Sequence, residues 1–396
     1  MSNILHKIKG DKVVWAIAGL LAVLSFLPVY SSSSNLAYLY GNGNTFSFLA
    51  KHGVHIAFGF LIMYLVHRIP YNYFKALSIL MMPIVLVLLI YTMMQGTTIE
   101  GANASRWIQI PGVGITFQTS TFAMVVVMVF TAKYLAKIKD TQITFKESIF
   151  PLWIPVFVVI ACILPANFST AAIIFAMVLL LMFLGGYPIK YLGAIVGVGM
   201  VGLLLFILTA KAFPEILPNR VDTWMSRIES FTNSENTVDG YQIEKAKIAI
   251  ASGGIFGLGP GKSVQKNFLP QSSSDFIYAI IVEEYGLSGA AVVMLLYLWL
   301  LFRILIITGK TTSVFGKLVV LGLGLPIVFQ ALINMAVAVE LFPVTGQTLP
   351  LISSGGTSIW MTCLSLGIIL SVSAKREIDP NEINEENPLE ILNASL

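Results

Sequence analysis

The chain has 396 residues, of which 56% are hydrophobic and only 11% charged, against roughly 25% charged in an average soluble domain. So large an apolar share excludes a water-soluble fold, and a thinly spread net charge of +4 argues against nucleic-acid binding. Cys162 and Cys363 both lie in apolar stretches and suggest neither a disulfide framework nor a metal-ligand spacing.

A transmembrane helix needs about 20 predominantly apolar residues. In chain order such stretches fall near residues 13–31, 52–68, 75–94, 118–136, 150–166, 169–186, 189–210, 275–307, 316–340 and 356–374. The expected fold class is an all-α integral membrane protein with about ten spans. Lys7, Lys9 and Lys12 before the first apolar run give it the look of a signal peptide. The run is long for one and many spans follow, so a retained first helix is expected.

Cations cluster on one side of the successive spans, among them Arg68, Lys75, Lys133, Lys137, Lys139, Lys146, Lys190, Arg303, Lys310, Lys317, Lys375 and Arg376. The opposite short loops carry only Lys51 and Arg106, so the positive-inside rule places both termini in the cytoplasm. The organisation expected is one polytopic membrane domain over residues 1–376, with a large extracytoplasmic loop at 211–274. A short acidic cytoplasmic tail follows at 377–396.

Three outer segments are too polar or too glycine-rich for simple connectors, and function is sought there. The first, residues 101–120, holds Arg106 and Trp107 between glycines, with Gln118 opening the next span. Within the large loop, Ile243, Ala246, Ile250 and Ala251 fall at helical spacing, which predicts an amphipathic helix lying on the membrane surface. Next comes Gly253-Gly-Ile-Phe-Gly-Leu-Gly-Pro-Gly-Lys-Ser263, which fails the P-loop spacing because Phe256 stands where a glycine is required. Two readings remain for it: a glycine turn that offers backbone N–H groups and Lys262 to another phosphate, or a plain connector.

Asp275 stands where this loop enters an apolar helix, with Glu283 and Glu284 two turns further along. A carboxylate can simply cap that helix. Carboxylates within a span are costly, however, so the three acids point to a wet pocket open to the outside, with Asp275 and Glu283 near one helical face. The third segment, Leu341-Phe-Pro-Val-Thr-Gly-Gln-Thr-Leu-Pro-Leu-Ile-Ser-Ser-Gly-Gly-Thr-Ser358, cannot be helical throughout. It is either a re-entrant segment beside the pocket or an outer loop.

At these residues the sequence resembles the SEDS family (shape, elongation, division and sporulation), and its division branch most of all. The match is densest at Ser252-Gly-Gly, Gly257-Leu-Gly, Ser263-Val-Gln-Lys266, Leu269-Pro270, Asp275-Phe-Ile, Glu283-Glu-Tyr-Gly286, Pro343-Val-Thr-Gly346, Leu349-Pro350 and Ser353-Ser-Gly-Gly-Thr-Ser358. Two positions depart from the family pattern: Thr121 and Asn167 stand where family members usually carry carboxylates.

The resemblance implies a peptidoglycan glycosyltransferase that polymerises lipid II, with Asp275 as the general base. It further implies diphosphate held by Arg106, Lys262 and Lys266, with Arg220 and Arg227 as further candidates. Trp107, Gln118, Ser263, Glu283, Glu284, Thr345 and Ser353 complete the candidate substrate-binding set, Glu283 and Glu284 either tuning Asp275 or holding the helix through a buried hydrogen bond. A class B penicillin-binding transpeptidase is the implied partner. No dedicated metal cage is visible, and a divalent cation, Mg or Mn, at the diphosphate is left open. Two rival readings are a lipid II flippase, which needs a site reachable from both sides, and a non-catalytic division scaffold.

Overall fold

The computed structural model describes residues 9–40, 44–95, 106–109, 116–139, 141, 144–212, 238–269 and 272–374. Its helices are α1 (Lys12–Tyr40), α2 (Thr45–Val66), α3 (Tyr73–Gln95), α4 (Thr119–Ile138), α5 (Phe145–Ile163), α6 (Phe168–Leu184), α7 (Ile189–Ala212), α8 (Val238–Gly253), α9 (Ile277–Lys310), α10 (Val314–Ala338) and α11 (Gly356–Ala374). Eight of them are long and apolar enough to cross a membrane. The shorter apolar helix α6 and the first part of α7 bring the described spans to the ten expected.

Burial sorts these helices into layers. Most of α10 and α11 is covered by other helices, which makes them the middle of the bundle. By contrast, α2 and α3 leave Val54, Leu61, Leu80 and Val87 exposed. In a bilayer such side chains face hydrocarbon, so their exposure costs nothing. α2 packs along α11, α9 along α10, α3 along α4, and α4 reaches across to α10. At one end, Asp11 accepts from the backbone N–H groups of Val13 and Val14 at 3.0 and 3.2 Å and so caps α1. The same carboxylate pairs with Arg303 of α9 at 2.7 Å, tying α1 to α9.

The structure corrects two expectations, one about the large loop and one about the span that follows it. α8 does not lie with its apolar face on lipid: Ile243, Ala246 and Ala249 are buried, and the helix packs against α9. Ala251, read from the sequence as part of that face, is exposed. The helical spacing of Ile243 and Ala246 identified a buried face, but protein rather than membrane covers it.

The second correction concerns α9, which is not one continuous span. Gly286 breaks it at φ 68° and ψ −170°, a conformation that L side chains rarely adopt. Residues 277–284 before the break are all buried. Residues 287–310 after it expose Leu287, Leu295, Trp299 and Phe302 and measure about 36 Å at 1.5 Å per residue, enough for a hydrocarbon core of ~30 Å. Glu283 and Glu284 therefore lie on the buried segment before the break.

Candidate functional site

The glycine-rich loop is stitched to the break in α9 by main-chain hydrogen bonds. Leu258 and Gly259 donate to the carbonyls of Glu283 and Glu284, each at 2.9 Å, while Leu287 and Ser288 donate back to Gly254 and Ile255 at 2.9 and 3.1 Å. The two backbones approach so closely that a Cβ on Gly257 would lie 2.2 Å from the Glu284 carbonyl oxygen, and one on Gly286 would lie 2.3 Å from that of Ile255. The glycines exist for this contact. The amides of Leu258 and Gly259 are engaged by protein carbonyls, which corrects the reading of the loop as a backbone cradle for phosphate. Lys262 at its end is exposed.

Glu283 and Glu284 are each 1% exposed. Glu283 accepts from the Ser263 hydroxyl, from Val264 N at 2.9 Å and from Gln265 N at 3.2 Å. Glu284 accepts from the Ser31 hydroxyl of α1 and from Ser263 N at 3.3 Å, and the Lys266 ammonium donates to the same Ser31 hydroxyl at 3.1 Å. These hydrogen bonds offset the desolvation of Glu283 and of one oxygen of Glu284, while Glu284 Oε2 is buried without a hydrogen-bond partner. Of the two roles expected for this pair, the structure displays the hydrogen-bonded brace, which joins α1, the 263–266 turn and α9 and takes in Ser263 and Lys266.

Asp275 belongs to a different assembly. It sits half-buried in the turn that precedes α9, which starts at Ile277, so helical spacing does not relate it to Glu283. The turn is held from both sides. Asn334 of α10 donates through one amide nitrogen to the carbonyls of Asp275 and Gln347, both at 2.7 Å. Ser353 donates to Ser274 O at 2.6 Å while accepting from Leu349 N at 2.7 Å, and Ser354 N donates to Ser273 O at 2.9 Å.

The segment after α10 is non-helical, and from Val344 to Ser353 none of its residues is exposed. Tyr297 of α9 donates its hydroxyl to Pro350 O, Gln330 of α10 donates to Thr348 O at 2.9 Å, and Gln347 donates to the Thr170 hydroxyl of α6 at 2.9 Å. Irregular backbone at this depth is stable because side chains satisfy it. Thr345 is half-buried in this segment, next to Gly346.

Gly346 is where the charged groups meet. Its φ is +66°, and a Cβ placed on it would lie 3.4 Å from Asp275 Oδ2 and 3.8 Å from Arg106 Nη1. A carboxylate and a guanidinium thus converge over one bare Cα. Arg106 is set by its Nε, which donates to Ala166 O at 2.7 Å. It is also set by a short antiparallel hairpin, β1 (Trp107–Gln109) and β2 (Thr116–Gln118), in which Trp107 pairs directly with Gln118. The sequence had singled out both residues without anticipating a hairpin.

Two departures from the family pattern find structural roles. Asn167 caps α6 by accepting from Thr170 N at 3.1 Å, and Thr121 donates to Gln118 O at 2.8 Å. Thr121 also lines a groove between α4, α10 and α11, beside Gln330, Ser358 and Thr362. Arg220, Arg227 and the acidic tail lie outside the described residues. Asn334 and Gln330 were missed in the sequence, although two amides one turn apart inside an apolar span carried the signal.

A family model described as "Cell cycle protein" and covering FtsW, RodA and SpoVE matches residues 11–378. A probable peptidoglycan glycosyltransferase FtsW of Nitrosomonas europaea is 31% identical across 92% of this chain and 93% of its own. Stage V sporulation protein E of Bacillus subtilis is 29% identical across 93% of this chain and 98% of its own. Among solved structures, a chain of a peptidoglycan synthase complex that coordinates polymerization and crosslinking superposes with a TM-score of 0.72 at 23% identity, over 93% of this chain and 99% of that one. The rod shape determining protein RodA of Thermus thermophilus superposes at 0.64 with 22% identity, over 93% and 98%. With its multi-pass membrane architecture and a family match over nearly its whole length, the chain belongs to the FtsW, RodA and SpoVE family of cell cycle proteins.

Proposed function

We propose that this protein is a peptidoglycan glycosyltransferase that polymerises lipid II at the outer face of the cytoplasmic membrane, during septal division. The observation that carries the reading is the convergence of Asp275 and Arg106 over Gly346. In the proposed step, the acceptor's sugar hydroxyl attacks the donor's anomeric carbon. The new glycosidic C–O bond forms as the bond from that carbon to the diphosphate oxygen breaks. Asp275 takes the hydroxyl proton as general base, and Arg106 stabilises the charge gathering on the departing lipid diphosphate. In a single displacement, base and leaving group lie on opposite faces of the sugar, so the acid and the cation near Gly346 would act from different directions.

Gly346 leaves this approach open, because any other residue would put a side chain into it. A divalent cation, Mg or Mn, would take Asp275 and the diphosphate's own oxygens as ligands. The described residues gather no group of three or more His, Cys, Asp or Glu, and no step above depends on a metal. The names of the curated relatives support the chemistry, and the peptidoglycan synthase complex supports a class B penicillin-binding transpeptidase as partner.

The test is polymerisation of purified lipid II by the wild type and Asp275→Asn, each with the transpeptidase partner. Loss of a general base should lower the rate by about 10²–10⁴-fold. Equal product from a folded variant would sink the assignment of the base. No product from either protein, with lipid II still crossing the bilayer, would favour a transporter.

A further inference from the structure

Ala374, the last residue of α11, lies where several other elements end or begin. The Ser371 hydroxyl donates to Ile69 O between α2 and α3, and Asp11 N donates to the Ser373 hydroxyl at 3.0 Å. A Cβ on Gly316 of α10 would lie 3.2 Å from Val372 Cγ1 and 2.8 Å from Thr311 Cγ2 at the end of α9. Every one of these neighbours brings a cation. Lys9 and Lys12 flank Asp11, Arg68 precedes Ile69, Lys310 precedes Thr311 and Lys317 follows Gly316, all of them exposed. Lys75 sits 5.0 Å over the Phe315 ring. The acid described at this junction is Asp11, which is buried and paired with Arg303.

Six like charges around one point repel one another, so the ring favours an anionic cover. The chain supplies one from the ring's own centre. Beyond Lys375 and Arg376 the sequence carries Glu377, Asp379, Glu382, Glu385, Glu386 and Glu390, with no lysine or arginine among residues 377–396. We propose that the acidic segment 377–390 docks across this ring, making this end of the bundle an interface between the chain and its own tail. Even Glu390 lies within about 55 Å of Ala374 along an extended chain, at ~3.4 Å per residue. Exposed ion pairs are individually weak, but the tether holds the acids at an effective concentration on the order of millimolar. Anionic lipid headgroups are the rival cover. Because α11 is in the middle of the bundle, the tail starts inside the ring, whereas a headgroup reaches only its rim.

A second basic group provides a built-in comparison. α3 and α4 meet at Thr92 and Thr119, whose hydroxyls are 3.1 Å apart, so α4 finishes at the end of the bundle where α3 begins. There Lys137, Lys146 and Lys190 are exposed on α4, α5 and α7, elements other than those that meet around Ala374. The full chain in phosphatidylcholine nanodiscs, one copy in each, is treated with a water-soluble carbodiimide, and carboxylate–amine cross-links are located by peptide mass spectrometry. Links from Glu382, Glu385 and Glu386 to Lys9, Lys12 and Lys317 are expected at about 20 mM salt and should disappear near ~1 M, where charges are screened beyond ~3 Å. A second arm follows cleavage of the tail by a glutamate-specific protease. A segment docked about nine-tenths of the time should be cut about tenfold more slowly in the wild type than in a Lys9→Gln, Lys12→Gln, Lys317→Gln variant. This arm decides if the carbodiimide yields no product at either basic group.

None of these outcomes depends on the glycosyltransferase reading. Equal linking to Lys137, Lys146 and Lys190 overturns the proposal, because the tail would then be a loosely attracted polyanion. So do equal protease rates in the wild type and the variant. Phosphatidylglycerol nanodiscs should give the same links, and their loss there would assign the ring to lipid headgroups and overturn the proposal as well.

Discussion

Replacing Gly346 by alanine tests the site with one methyl group. Two effects are separable. The first is backbone strain, since an L residue at φ +66° costs about 1–2 kcal/mol. The second is occupancy: the new Cβ would stand 3.4 Å from Asp275 Oδ2 and 3.8 Å from Arg106 Nη1. Both are ordinary contact distances, so the fold tolerates the methyl, but it fills the point on which acid and cation converge. Displacing a reacting group by about 1 Å costs on the order of 100-fold in rate.

Gly186 isolates the strain, because it has φ +80° and an added Cβ would meet nothing within 4 Å. Thermal unfolding in detergent and lipid II polymerisation would be measured for both variants. Gly346→Ala and Gly186→Ala should lose similar stability, while only Gly346→Ala loses activity, by roughly 100-fold. Full activity in Gly346→Ala would refute the placement of the reaction over this glycine. Equal activity losses in both would assign the effect to strain.

Asn334→Leu leaves the carbonyls of Asp275 and Gln347 without their shared donor, at about 1–3 kcal/mol each; thermal unfolding and kcat should fall together. Glu283→Ala strands the Ser263 hydroxyl and the amides of Val264 and Gln265. A loss of about 3–5 kcal/mol is expected by analogy with breaking a buried charged network, and Glu283→Gln, which keeps one acceptor oxygen, should lose less. Asp11→Ala forfeits both a helix cap worth ~1 kcal/mol and the pair with Arg303. Asp11→Asn keeps the cap, so chemical unfolding should place it between the wild type and Asp11→Ala.

The spans were legible because each is a long apolar run, and a bilayer needs little more than length and hydropathy. Asp275 was legible because a carboxylate at the mouth of such a run is costly without a reason. The partner of α8 was not, since a face of Ile243 and Ala246 looks the same whether lipid or α9 covers it. Nor was the break in α9: Gly286 follows Glu283-Glu-Tyr, but only the approach of a second backbone at Ile255 shows why that glycine must depart from the helix. Arg106 could be picked out as the only cation of its loop. Its meeting with Asp275 joins segments far apart in sequence, and Gly346, which has no side chain, gave no chemical signal at all.

Neutral groups dominate the hydrogen bonds that hold the Asp275 turn. The donors described above are the amide of Asn334, the hydroxyl of Ser353 and the main-chain N–H of Ser354, and each acceptor is a carbonyl. Added salt screens charge–charge attraction over about 10 Å at 0.1 M but leaves such dipolar contacts nearly untouched, and none of these three donors titrates near neutrality. These three contacts are therefore nearly insensitive to ionic strength and to moderate changes in acidity. A response of turnover to either would therefore originate outside these three hydrogen bonds, in charged groups such as Asp275 and Arg106 or in the substrate, which a salt titration of turnover would read.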